Sequence, residues 1–354
     1  MNSKPTLGSV GSLIIDDIVF QDGSKRLNVI GGAGIFAIYG MRIWFTADDA
    51  KSIGYVAHRG FDHPNSIDDA LNSLDISLIS QTHPDKHTTR GLNTFGPDDH
   101  RDFEYIHPII RTTPADFPDS WIESMALVHI ISSTERTIEI VTEWREREKQ
   151  LGKRLPTQFL WEPLPWACLP ENYQHIIEAG QLVDIITPNH EEAAAILGLS
   201  KEMNSPSMDM HALVEECGRR LGCALPHATI VIRASKHGAA VWNPSSPKVH
   251  WVPAYWTTSD HVVDVVGAGN AFCGGFMVGW QETQGKDAVK AAMYGSVAAS
   301  FVVEQVGVPR LSVPTTTTTT TNCSRRHETW NEGPSPLDRL NELSLRCNPQ
   351  DTLI

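Results

Sequence analysis

Residues 264–280 read DVVGAGNAFCGGFMVGW. Three small residues, Gly267, Ala268 and Gly269, stand directly before an apolar run of helical character. A helix that begins there leaves its first backbone N–H groups without intrahelical partners, and its dipole favours negative charge at the same end. Such an end can cradle a phosphate group. A tight turn with close packing calls for the same residue types, so the meaning of the stretch depends on its surroundings.

Those surroundings alternate between strand and helix patterns. Residues 7–18 (LGSVGSLIIDDI) read as a buried strand running to a polar edge. Residues 52–60 (SIGYVAHRG) and 125–133 (MALVHIISS) read as strands, the first followed by an amphipathic helix and the second by the charged helix 137–150. Residues 158–163 form another strand with a polar end. In 182–197 (LVDIITPNHEEAAAIL) an apolar strand stops at Thr187 and Pro188, and a helix with acids in its first turn follows. Residues 228–242 (ATIVIRASKHGAAVW) read as strand, short turn, strand, and 287–303 as an Ala-rich helix. This alternation predicts an α/β fold with a mostly parallel sheet covered on both faces. In such sheets the strand ends face the ligand crevice. Asp22 and Gly23 mark a hairpin within 17–30, and 88–106 has strand character too.

The chain has 354 residues, of which 41% are apolar, enough for one large domain with a full core. Its formal charge of −13 argues against a protein built to grip nucleic acid or an anionic membrane surface. The first residues lack the basic-then-apolar pattern of a secretory leader, and no 18-residue apolar run predicts a spanning helix. The six cysteines are scattered with no Cys-x-x-Cys pair, so neither a zinc site nor a disulfide framework is expected, and a reducing cytoplasm is the expected setting. After Pro314 come seven threonines, Thr315 to Thr321, which read as a linker. The domain is therefore expected to occupy 1–314, with 315–354 as linker and tail. Trp330, Leu337, Leu340 and Leu343 could dock on the domain or another chain, or sit in an unstructured tail; removal of everything past Pro314 is expected to leave the fold intact.

Taken together and in order, these motifs resemble the ribokinase-like sugar kinases, the PfkB carbohydrate kinase family. The family signature reads Asp-Thr-x-Gly-Ala-Gly-Asp, and the match runs over about residues 6–314. The resemblance implies a three-layer α/β/α domain with a small β lid made from strands near 17–30 and 88–106, the lid often making a homodimer contact. It implies ATP with Mg2+ as cofactors and a sugar or nucleoside-like substrate. Asp16, five residues after Gly11, takes the place of a substrate-binding Asp; Gly31 and Gly32 match the first glycine signature, and Arg90 is counted with them on the substrate side. Asn189 and Glu192 match the Asn-x-x-Glu motif that acts near Mg2+, commonly through water. Arg233, Ser235 and Gly238 stand where the family contacts nucleotide phosphates, and Asp264 where a monovalent cation such as K+ is expected nearby. Gly267, Ala268 and Gly269 form the anion hole.

The sequence departs from the family at telling positions. Phe36 replaces an Asn that contacts sugar, Arg233 and Ser235 alter the phosphate motif, and Asn270 replaces the catalytic Asp. An amide is isosteric with a carboxylate but cannot accept a proton as an anion, and loss of a general base costs on the order of 10²–10⁴ in rate. The glycine motif is similar to that of a fungal maintenance-of-killer branch of the family. Three functions stay open: an ATP-dependent kinase of a small hydroxylated metabolite, slow or with a displaced base; a non-catalytic relative that binds nucleotide or metabolite and acts through partners; and an enzyme that reuses the cleft for other chemistry. On the first, Asn270→Asp is expected to restore turnover.

Overall fold

A computed structural model describes residues 4–96, 101–203, 205, 208–244, 246–312 and 328–347. In chain order its strands are β1 (Leu7–Ser9), β2 (Ile14–Val19), β3 (Lys25–Gly31), β4 (Ile53–Gly60), β5 (Ser77–His83), β6 (Arg90–Phe95), β7 (Arg101–Tyr105) and β8 (Leu127–Ser132). They continue with β9 (Gln158–Pro163), β10 (Ile185–Ile186), β11 (Thr229–Arg233), β12 (Ala239–Asn243), β13 (Ser246–Val252), β14 (Leu311–Ser312) and β15 (Thr329–Trp330). The helices are α1 (Ala33–Arg42), α2 (Asn65–Asn72), α3 (Asp119–Ser124), α4 (Thr134–Gln150), α5 (Tyr173–Gly180), α6 (His190–Ile196), α7 (Ser200–Met203), α8 (Met210–Ala224), α9 (Ala268–Glu282), α10 (Ala288–Val302) and α11 (Pro336–Cys347).

Nine strands form one sheet in the order β13-β12-β11-β10-β9-β8-β1-β4-β5. From β5 to β11 all neighbours are parallel, and the β11–β12–β13 edge is antiparallel. Helices α1, α2, α9, α10 and α11 cover one face around Leu7, Leu127, Leu160, Ile185 and Val231. Helices α3, α4, α5, α6 and α8 cover the other around Val128, Phe159, Trp161, Ile186 and Ile230. Successive strand side chains point to opposite faces, and burial on both faces explains the nearly continuous apolar strands. The result is the expected ribokinase-like α/β/α architecture.

A separate four-stranded sheet, β3-β2-β6-β7, forms the expected lid. One detail of its start departs from the sequence reading. Residues 7–18 are not one strand: β1 ends at Ser9, and the chain crosses through Gly11 before β2 begins at Ile14 in the lid. Asp16 therefore sits on a lid strand and not at the edge of the main sheet. Gly11 and Ser12 interrupt the apolar residues of 7–18, and that is where the chain changes sheets.

The expected boundary at 314 also needs correction. The threonine tract lies outside the described residues, but 328–347 return to the domain. β15 pairs with β14, placing Trp330, fully buried, edge-on to Tyr39 with ring centroids 6.3 Å apart. Glu328 accepts from buried Arg42 at 2.5 Å, and Arg42 also lies over the Trp330 ring. Helix α11 buries Leu340 and Leu343 against α10, whereas Leu337 stays exposed. Trp330 is large and apolar, and α11 is amphipathic; together they close the face that α1 and α10 leave uncovered.

Candidate functional site

The strand register builds the site. Five strands each carry a core residue followed two positions later by a polar one on the same face: Leu7 and Ser9, Leu127 and His129, Leu160 and Glu162, Ile185 and Thr187, Val231 and Arg233. Pairing aligns Ser9 with His129 directly. At the carboxyl edge of the sheet the apolar layer thus gives way to a row of polar side chains under the start of α9.

The row is hydrogen-bonded throughout. Ser9 Oγ lies 2.9 Å from His129 Nδ1 and accepts from Gly11 N–H at 3.0 Å. His129 Nε2 lies 3.2 Å from Glu162 Oε2. Arg233 Nη1 lies 2.8 Å from Glu162 Oε1, and its Nη2 donates to the Thr187 carbonyl at 3.0 Å. Asn270 Nδ2 donates to Glu162 Oε2 at 2.8 Å. Three donors on three elements therefore converge on one buried carboxylate. Burial alone would raise the Glu162 pKa, but the Arg233 guanidinium and the hydrogen bonds from His129 and Asn270 outweigh it and hold the carboxyl at about 2. Burial also pushes the Cys273 thiol up, so this neighbour of Glu162 stays a neutral thiol.

Above this row stands the segment expected to form the anion hole. Gly267 caps α9 in the left-handed region with φ 79°, a conformation that glycine adopts without strain. A Cβ there would also come within 2.2 Å of the Phe36 ring. Ala268 N–H is used by the Val265 carbonyl, which leaves Gly269 and Asn270 N–H as the open donors of the first turn. Asp264 accepts from Val266 N–H at 3.0 Å and so shapes the turn that leads into the hole.

The residues expected on the substrate side separate into two groups. Asp16, Phe36, Asn93, Asp264 and Val266 line one pocket beneath the lid, whose free volume of ≈ 10 Å³ leaves room for at most a single water. The Asp16 carboxylate packs so closely on Gly31 that a Cβ there would lie 1.9 Å away. Arg90 is not in this group. It pairs with Asp17 at 2.8 Å and with Asn28 at 3.0 Å. Asp17 follows Asp16 on β2 and points to the opposite face of the lid sheet, so Arg90 braces that sheet.

The nucleotide-side residues also differ in what they do. Ser235 lies in an exposed turn with φ 51°, and Gly238 with φ 92° closes that turn onto β13. Asn189 and Glu192 form a capping box at the start of α6: Asn189 Oδ1 accepts from Glu192 N–H at 2.8 Å, and Glu192 Oε2 accepts from Asn189 N–H at 2.7 Å. Glu192 Oε2 also lies 3.7 Å from Arg233 Nη2. Because Arg233 is already paired with Glu162, burial dominates at Glu192 and pushes its pKa up to about 7.

As direct ligands these residues do not fit Mg2+, which needs near-octahedral oxygens at about 2.0–2.1 Å; the role expected of Asn189 and Glu192, commonly through water, is a different one. The oxygens of Glu162, Thr187 and Glu192 already surround the Arg233 guanidinium, and those of Asn189 and Glu192 cap a helix. A divalent ion would stand beside a fixed positive charge.

The sequence reading named Arg233 and Asn270 but missed Ser9, His129, Glu162 and Asn93. The available signal was the repeated spacing itself, a polar residue two positions after a core residue at each strand end. Among the described residues no helix is long and apolar enough to cross a membrane, and the described cysteines are free.

Comparison with known proteins agrees with this architecture. The model of the pfkB family carbohydrate kinases matches residues 56–316. An uncharacterized protein of Schizosaccharomyces pombe is 29% identical over 348 residues, covering 94% of this chain and 91% of its own length. Protein MAK32 of Saccharomyces cerevisiae is 27% identical over 348 residues, covering 93% of this chain and 89% of its own length. The solved ribokinase from Giardia lamblia has a TM-score of 0.68 at 17% identity, over 86% of this chain and 96% of that one. Ribokinase from Cryptococcus neoformans in complex with ADP has a TM-score of 0.62 at 16% identity, over 86% of this chain and 95% of that one. With the family model spanning well over half of its length, the chain belongs to the pfkB family of carbohydrate kinases.

Proposed function

We propose that this chain binds an adenine nucleotide at the start of α9 and a small hydroxylated metabolite beneath the lid, in the cytoplasm, and that it works as a binding protein and not as an efficient phosphotransferase. One observation carries this reading: the position of the family's base is an amide that donates to Glu162, so it is neutral and already committed. The family resemblance implies ATP with Mg2+, and the Cryptococcus neoformans ribokinase was solved in complex with ADP. The open Gly269 and Asn270 N–H groups suit a phosphate. Glu162 is a poor substitute base, because a carboxyl held at about 2 has little affinity for a proton.

A slow ATP-dependent kinase of a sugar or nucleoside is the second reading. Asp16 favours it, as a carboxylate lining the lid pocket that could accept a substrate proton once the lid moves off to widen the ≈ 10 Å³ now free there. The two readings part on turnover. Both predict that millimolar ATP raises the melting temperature by linkage; on the binding reading a pool of sugars and nucleosides adds no turnover above the metabolite-free background, whereas the slow kinase gives metabolite-dependent turnover about 10²–10⁴ below the roughly 1–100 s⁻¹ typical of kinases. Metabolite-dependent turnover at any such rate contradicts the binding reading.

A further inference from the structure

We propose that Arg233 supplies, from within the chain, the positive charge that a divalent ion would otherwise bring to the nucleotide phosphates, so that the site takes its nucleotide without metal. This rests on the nucleotide-binding reading above.

The guanidinium occupies a shell of oxygens. Nη1 lies 2.8 Å from Glu162 Oε1, Nη2 and Nε donate to the Thr187 carbonyl at 3.0 and 3.3 Å, and Nη2 lies 3.7 Å from Glu192 Oε2. A carboxylate, a carbonyl and a second carboxyl are what a hard cation would seek, and here an arginine holds them. Arginine cannot give up its charge by deprotonation, and its donors are fixed in a planar fork. Ion pairing with Glu162 outweighs the effect of burial and raises its pKa further.

The same group touches the anion hole. A Cβ on Gly269 would lie 2.1 Å from Arg233 Nη1, so the guanidinium packs directly on the backbone that offers the open N–H donors. Each terminal nitrogen of the fork carries two hydrogens, and the side chain is 12% exposed. Arg233 is therefore anchored from below by Glu162 and Thr187 and lies beside the place where the α9 amides meet a phosphate. Charge-assisted bonds from arginine to phosphate are among the stronger ones available. A divalent ion entering this shell would have to displace the guanidinium from Glu162 and leave it without its carboxylate.

Calorimetric titration of the full-length protein with ATP tests this, once in EDTA and once in excess Mg2+. The expected result is an affinity that changes by less than about threefold between the two. Tightening by threefold or more with Mg2+ overturns the metal-free site while leaving nucleotide binding in place. Failure to bind ATP in either buffer overturns the nucleotide reading and this inference with it. Arg233→Gln should weaken binding in EDTA by about tenfold or more, and Arg233→Lys by less, since it keeps the charge. A folded Gln variant that binds ATP in EDTA as tightly as wild type also overturns the proposal. If the Gln variant does not fold, the EDTA and Mg2+ titrations of wild type decide alone.

Discussion

Asn270 Nδ2 donates to Glu162 Oε2 at 2.8 Å, so the residue expected at the position of the family's catalytic Asp is one of the three donors that hold a buried carboxylate ionised. The substitution is thus not an isolated loss. Asn270 bonds to Glu162, and Glu162 in turn pairs with Arg233, so the three form one connected set.

This pairing reverses the expectation that Asn270→Asp restores catalysis. Aspartate would set a second carboxylate against Glu162, and two carboxylates that close share a proton instead of both ionising. Losing a hydrogen bond to a charged group should cost about 1.5–3 kcal/mol at pH 7. The deficit should shrink as pH falls and the pair takes up its proton. Urea denaturation at pH 5 and pH 7.5 measures it. Wild-type stability at both pH values, together with a gain in ATP turnover, contradicts the account.

Glu162→Gln tests the hub of the network. Glutamine keeps the shape but presents an NH₂ group to donors and removes the partner of Arg233. Leaving a buried charge unpaired should cost on the order of 3 kcal/mol. Adding Arg233→Met removes the orphaned charge, so the double variant should recover much of the loss. A single variant as stable as wild type would mean that Arg233 does not depend on Glu162.

Glu192 gives a pH dependence of defined sign. Its carboxyl has a folded-state pKa of about 7 against an ordinary 4.5, with burial as the leading cause. The folded protein thus binds more protons at this group than the unfolded chain, and stability falls as pH rises through this range. Glu192→Gln keeps an acceptor for the α6 cap and removes the titration. Relative to that variant, wild type should lose on the order of 3 kcal/mol between pH 4.5 and pH 8. Equal slopes for both proteins would contradict the raised pKa.

Much of the fold was legible because buried parallel strands and their helices leave long apolar signals. The 158–163 and 182–197 segments fall as read, and so does the lid hairpin around Asp22 and Gly23. The site was less legible. Glu162 read only as the polar end of a strand, because nothing local reveals that the neighbouring strands bring His129 and Arg233 to it. Asn189 and Glu192 carried two readings, helix cap and metal shell, and it is the cap whose hydrogen bonds are formed. Arg90 is opposite Ile15 in the lid ladder, one position from Asp16, and faces away from it, a distinction set by strand alternation and register. Trp330 lies beyond a threonine tract that carries no packing signal, so its place against Tyr39 could not be read from the chain.

The return of 328–347 to the core makes the C-terminal segment necessary for stability. Trp330→Ala should cost about 3–5 kcal/mol, as for other buried large-to-small changes. Truncation after residue 312 should cost more, because it also strips Glu328 from buried Arg42. Thermal denaturation of both variants checks this; unchanged melting temperatures would return the segment to the status of a detachable tail.

The central claim is a nucleotide site that binds through backbone amides and an internal arginine, with an amide where a base would stand. A crystal structure of the wild-type protein grown with a non-hydrolysable ATP analogue and Mg2+ tests it most directly. The expected result is a phosphate on the Gly269 and Asn270 N–H groups, Arg233 still bound to Glu162 and contacting that phosphate, and no metal ion between Glu192 and the nucleotide. Arg233 swung away from Glu162, with Mg2+ in its place bridging Glu192 to the phosphates, would contradict it.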